Sequence, residues 1–201
     1  NTSAPDAQPG PTPTPTPNPV PMPTTPDGKF PIPPATAMNA LLTTLRTSRS
    51  AEFSAASTAD AQLALCDKLQ EEAAAASGDP TARLVLLAAA RDLAAAAGDF
   101  DLSFLIVEHI AETHDVDTLL MRNDVLTEAG KKTDDVAVCK LITEKALELS
   151  DEARLLERYT EALAVLRSAQ TSARKSRDPE LTKTISDRIK EVADAKRLAE
   201  S

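Results

Sequence analysis

Aromatic residues are nearly missing from this chain: they make up 2% of it, tryptophan is absent and Tyr159 is the one tyrosine. Any core must be built from Leu, Ile, Val and Ala, which suits close-packed helices, and each such side chain buries little area. Cysteine is scarce too. Cys66 and Cys139 fall in two different predicted helices and read as small apolar core residues, unpaired, rather than as a disulfide framework. Glycine occurs five times, with no Gly-rich phosphate loop, and no apolar run is long enough to span a bilayer. Positive charge is outnumbered, with 22 Lys and Arg against 31 Asp and Glu and a net charge of −9. The first 36 residues carry only Asp6, Asp27 and Lys29, so about −8 belongs to the rest. That balance opposes nucleic acid and anionic lipid as partners, because both select clustered Lys and Arg.

Proline, by contrast, is concentrated. Thirteen of the 15 lie within residues 1–35, many alternating with Thr as in Pro11-Thr-Pro-Thr-Pro-Thr-Pro17. Fixed φ and missing donors exclude helix and sheet, so residues 1–35 read as an extended polyproline-II linker that adds nothing to folding. Asn1-Thr2-Ser3 matches an N-glycosylation sequon, and the Thr residues could carry sugars. The segment carries no signal peptide, and removal of an export signal or anchor upstream is the expectation.

Residues 36–201 read as a single all-helical domain. Its anchor is Asp79–Asp99. Asp79 is a natural N-cap and Pro80 suits the first helical position. Gly98 can take the left-handed conformation that ends a helix, and Asp99 can cap the next. Between Leu84 and Ala97 only Arg91 and Asp92 are polar, which marks a central helix over about Pro80–Ala97, with Leu86 and Leu93 buried and Arg83 facing solvent. Before it, Met38, Leu41, Leu42 and Leu45 predict a helix over about Ala37–Arg49. Ser50–Ser57 reads as a polar connection, and Ser57-Thr-Ala-Asp60 as a capping box opening a helix to about Ala76.

After it come Phe100–Thr113, then a helix restarting at Asp115-Val-Asp117 and ending at Gly130. A helix capped by Thr133 follows, with a break near Glu157-Arg158 before Tyr159–Ser176. Asp178-Pro179 repeats the Asp79-Pro80 device ahead of a last helix carrying Leu181, Ile185, Ile189 and Val192. No strand is expected.

Two turns share a grammar. Ala94-Ala-Ala-Ala-Gly-Asp-Phe-Asp-Leu-Ser-Phe-Leu and Leu156-Glu-Arg-Tyr-Thr-Glu-Ala-Leu-Ala-Val-Leu each join two helices with an aromatic just after the turn. This resembles the inner turn of tetratricopeptide-type hairpins, in which an aromatic wedges the start of the second helix, although the 34-residue period of that family is missing. Antiparallel hairpins stacked as a short solenoid or bundle are the expected architecture. From Lys29-Phe-Pro-Ile-Pro, through Ala82–Asp99, to Ala173-Arg-Lys-Ser-Arg-Asp-Pro179, the chain resembles an Ala-rich helical module of planctomycete cell-envelope and secreted proteins. The resemblance implies an extracytoplasmic helical-repeat fold next to an export signal, an anchor or another domain. It implies no activity.

The residues offer little chemistry. His109 and His114 are five apart, where a helical metal pair needs four, and read as surface or cap residues. Asp99/Asp101 and Asp115/Asp117 do not continue into an EF-hand and read as charges at helix N-termini. Ser and Thr are plentiful, but none is read as a nucleophile activated by a histidine. The expectation is therefore no catalytic, cofactor-binding or metal-ligating residue, and no cofactor. Arg91, Asp92, Glu108 and His109 are the candidate structural or contact residues, Arg91-Asp92 because a charged pair inside an apolar helix must be compensated. The reading that follows is a non-enzymatic interaction or scaffold module on a Pro-rich spacer, binding a protein or peptide partner. The alternative is a small-ligand-binding or enzymatic helical domain with a pocket near Arg91, Asp92, His109 or Glu108, and a third possibility is a plain structural spacer.

Overall fold

The structure, a computed structural model, describes residues 25–201. The Pro-Thr run and the Asn1 sequon lie outside the described residues. Within them the chain is helical apart from one two-residue ladder: β1 (Phe30–Pro31), α1 (Ala35–Ser48), α2 (Ser50–Ala55), α3 (Ala59–Ala75), α4 (Pro80–Ala96), α5 (Phe100–Thr113), β2 (His114–Asp115), α6 (Thr118–Lys132), α7 (Val136–Leu155), α8 (Tyr159–Lys175) and α9 (Pro179–Ala199). None of these helices is long and apolar enough to cross a membrane.

The helices begin where short side chains can satisfy free amides. Asp79, Asp99 and Asp117 accept from the amides of Ala82, Leu102 and Leu120, and Asp135 and Asp178 each accept from two. Two caps differ from expectation. Thr58, not Ser57, caps α3, and Asp135, not Thr133, caps α7, while Thr133 Oγ1 instead accepts from the Asp135 amide.

Turns close the hairpins. At Gly98 (φ 82°) the Asp99 amide reaches the Ala94 carbonyl, and at Glu157 (φ 57°) the Arg158 amide reaches that of Ala153. Both are Schellman closures, so the two turns with related sequences share a geometry. Phe100 is buried and Tyr159 half-buried just beyond them.

Two cores result. The first is built on α4, whose Leu84, Leu87, Ala90 and Ala94 meet Leu65, Cys66 and Leu69 of α3 and Ile106 and Ile110 of α5. The second gathers Leu126 of α6, Ile142 and Leu149 of α7, Leu163 and Leu166 of α8 and Ile185 and Val192 of α9. Phe100, at the start of α5, belongs to the second core, so α5 is rooted in both. Leu93 is buried as expected, but Leu86 is half-buried, the more enclosed leucines being Leu84 and Leu87. Arg83 does not face open solvent: its side chain is mostly covered and pairs with Glu112.

Three other expectations are corrected. Ser50–Ser57 is largely α2, held by Phe53 against the first core and by Glu52 to Lys68 of α3. Gly130 does not end α6, which runs to Lys132. The Gly130 and Thr133 carbonyls accept from Lys175 Nζ of α8 at 3.1 and 2.9 Å, a cation at the negative end of the helix. A strand is also present, because Phe30–Pro31 pairs in parallel with His114–Asp115 and Ile32 packs on the first core.

Two stability changes follow. Glu157→Gly should raise the unfolding free energy in urea by about 1 kcal/mol, because glycine takes the left-handed conformation at little cost. A loss would mean that this turn is not strained. Gly130→Ala should destabilise the domain by about 1 kcal/mol despite alanine's better helix propensity, because its Cβ would lie 2.6 Å from Ser172 Oγ. On a Ser172→Ala background the same change should become neutral or stabilising.

Candidate functional site

A cleft of about 350 Å³ opens between the C-terminal half of α4, α6 and the start of α7. Its apolar lining is small: Ala95 and Ala96 from α4, Val125 and Ala129 from α6, and Val138 from α7. The run of alanines in α4 explains this, since Ala88, Ala89, Ala90 and Ala94 are spent on the first core and the apolar groups left on the side turned to α6 are the methyls of Ala95 and Ala96. Arg91, Asp92, Asp124, Glu128, Lys132 and Thr133 supply the polar lining.

Three of these charges, Arg91, Asp92 and Glu128, are engaged within the domain. Arg91 donates through Nε (3.1 Å) and Nη2 (2.7 Å) to Asp92 Oδ1, and Arg46 of α1 donates to Asp92 Oδ2 at 2.8 Å. The carboxylate is thus held between two guanidiniums. At this partial exposure the pairs orient the side chains more than they stabilise the fold, contributing about 0–1 kcal/mol each. Glu128 accepts from Lys131 at 2.6 Å, a bond that lowers its pKa. Asp124 differs. Although the residue as a whole is exposed, partial burial of its carboxyl raises the pKa, against a weaker opposing pull from Arg91.

Of the four residues singled out in the sequence, the structure brings Arg91 and Asp92 together and places Glu108 and His109 elsewhere, on α5 and outside the cleft lining. Glu108 is a structural partner. It accepts from Arg122 Nη2 of α6, while Arg122 Nη1 reaches Glu152 of α7 at 2.9 Å and the guanidinium lies 5.6 Å from the centre of the Phe104 ring. One arginine therefore ties α5, α6 and α7. His109 is half-buried and, among the described residues, forms no hydrogen bond or ion pair with Arg91, Asp92 or Glu108. His114 is not a surface histidine. It caps the end of α5 but is buried beside Phe30. Asp124, Glu128, Lys132 and Arg122 were missed because their importance depends on partners in other helices, with no local spacing to signal them.

Both cysteines are free and buried. Burial pushes the Cys66 thiol up to about 11 and raises that of Cys139, the reverse of what a nucleophilic thiolate requires. Among the described residues, no three His, Cys, Asp or Glu side chains group so as to hold a metal ion.

The Asp124 shift has a sign that can be measured. A carboxyl whose pKa is raised in the folded state costs stability while charged, and the cost fades as pH falls and it protonates. Asp124→Asn should therefore melt above the parent at pH 7, with the difference closing toward pH 4 in parallel thermal melts. A gain that did not vary with pH would point to a cause other than the carboxylate's charge.

Comparison with family models, curated proteins and solved structures finds no match for this chain, so functional inference rests on the cleft and its surroundings.

Proposed function

We propose that the domain is a non-enzymatic interaction module of the tetratricopeptide-like, stacked-hairpin kind, and that the α4–α6 cleft receives a segment of a protein or peptide partner. The observation that carries this is the cleft's make-up: a floor of alanine and valine, bordered by charges of which Arg91, Asp92 and Glu128 are already paired within the domain. Such a floor takes an apolar side chain with little rearrangement. A small-molecule site needs polar groups converging on one point. Here both oxygens of Asp92 are occupied by Arg91 and Arg46, and Glu128 is held by Lys131. Of the Pro/Thr-rich residues 1–35, those ahead of Thr25 would act as a spacer presenting the domain, since Phe30–Ile32 pack on it, and the resemblance to envelope modules favours an extracytoplasmic setting. The net charge of −9 argues against nucleic acid as the partner.

Ala96 is exposed on the cleft wall, so Ala96→Trp should fill the cleft without disturbing either core. Peptides selected from a random displayed library against the full chain should bind the parent and lose about tenfold or more in affinity on Ala96→Trp, with the melting temperature unchanged. If no peptide is enriched, or if the tryptophan variant binds equally well, the cleft is not a docking site.

A further inference from the structure

Lys29-Phe-Pro-Ile-Pro-Pro34 is poor in backbone donors, since three of its six residues are proline. Its hold on the helices rests on a few contacts. Phe30 pairs with His114 and Pro31 with Asp115 in the parallel ladder, and Ile32 packs on the first core. Just before it, a turn closes on itself, with the Thr25 amide donating to the Lys29 carbonyl at 2.7 Å and the Lys29 amide to Thr25 Oγ1 at 3.2 Å. A notch of about 380 Å³ lies between this segment, Pro80 and Thr81 at the start of α4, and His114.

His114 is 2% exposed, with its ring centre 6.0 Å from that of Phe30 and the planes at 49°. Its Nδ1 lies 3.0 Å from Thr113 Oγ1. These surroundings suit a neutral imidazole. The N-terminal end of α4 beside it carries partial positive charge, Arg83 of α4 acts electrostatically on it, and Lys29 precedes Phe30 in β1. The carboxylates around it are otherwise placed: Glu112 of α5 pairs with Arg83 at 3.3 Å, Asp79 accepts from the Ala82 amide, and Asp115 of β2 is exposed. Among the described residues, none forms an ion pair with His114.

We propose that His114 is an acid-sensitive latch: neutral, it holds Phe30–Ile32 in the seam between α4 and the end of α5, and protonation releases that segment while both cores stay folded. Burial, followed by Arg83, lowers the imidazole's pKa in the latched state. Release lifts part of the burial, so the pKa rises toward the free value of about 6.5. The latch is therefore at full strength above about pH 6.5 and weakens below it. Each further unit of acidity multiplies release about tenfold, until the latched pKa is passed. Freed, residues 25–34 could extend by roughly 33 Å, lengthening the reach between the helical domain and whatever lies before it. The cleft between α4 and α6 lies away from this seam, so the latch stands whether or not that cleft binds a partner.

The test is an NMR titration of the full chain from pH 8 to pH 4, following the His114 ring, the Phe30 ring, the Ile32 methyl groups and, as core reporters, the Ile106 and Leu166 methyl groups. His114 should titrate below 6.5, with the Phe30 and Ile32 signals moving to free-chain positions at the same midpoint and the Ile106 and Leu166 signals staying in place. Phe30→Ala, which uncovers the imidazole, should raise the His114 midpoint toward 6.5. His114→Gln, which cannot become charged, should remove the pH dependence of the Ile32 signals. Three results would overturn the proposal: Ile32 unmoved through the His114 titration, Ile32 and Leu166 lost together in one acid transition, or an Ile32 titration that persists in His114→Gln.

Discussion

Methyl groups set the spacing of this domain. α4 buries Ala88, Ala89, Ala90 and Ala94 among its neighbours, and surfaces with nothing longer than a methyl group allow helices to come close and gain dispersion contacts along their length. With few aromatics available, close approach substitutes for bulk. The same economy appears where α6 meets α8, at Gly130 against Ser172. Thin side chains bury modest area per residue, so the polar ends of the helices must be well satisfied. The aspartate caps, and Lys175 at the end of α6, meet that need.

What could be read from the sequence follows the range of the interactions. Asp79-Pro80, Gly98-Asp99 and Asp178-Pro179 act within a turn of chain, and the helices they delimit lie close to where local chemistry puts them. The break at Glu157 could also be read, from its likeness to the Gly98 turn, although glutamate there adopts a conformation more natural to glycine. α2, the interior position of Gly130 and the β1–β2 ladder were illegible because each is decided from outside: by the first core and Lys68, by α8, and by a histidine more than 80 residues away.

The candidate site divides in the same way. Arg91 and Asp92 were conspicuous as charges in an apolar helix and do stand beside a cleft. Arg122 looked like any charge on an amphipathic helix, yet it joins α5, α6 and α7 through Glu108, Glu152 and Phe104. Its two carboxylate partners lie 14 and 30 residues away, beyond any helical periodicity. The consequence for the cleft is rigidity, since α6, which forms one wall, is pinned to α5 and α7.

α5 has its first residue in one core and its later isoleucines in the other. A helix shared in this way makes each half part of the other's solvent shield. Opening either half withdraws α5 from both, so partial unfolding gains little entropy before it exposes the apolar surface of the whole. The domain therefore behaves as one cooperative unit rather than as repeats that can be shortened one hairpin at a time. Recombination that cut it between α4 and α6 would leave at least one core without its share of α5 and its apolar side chains exposed.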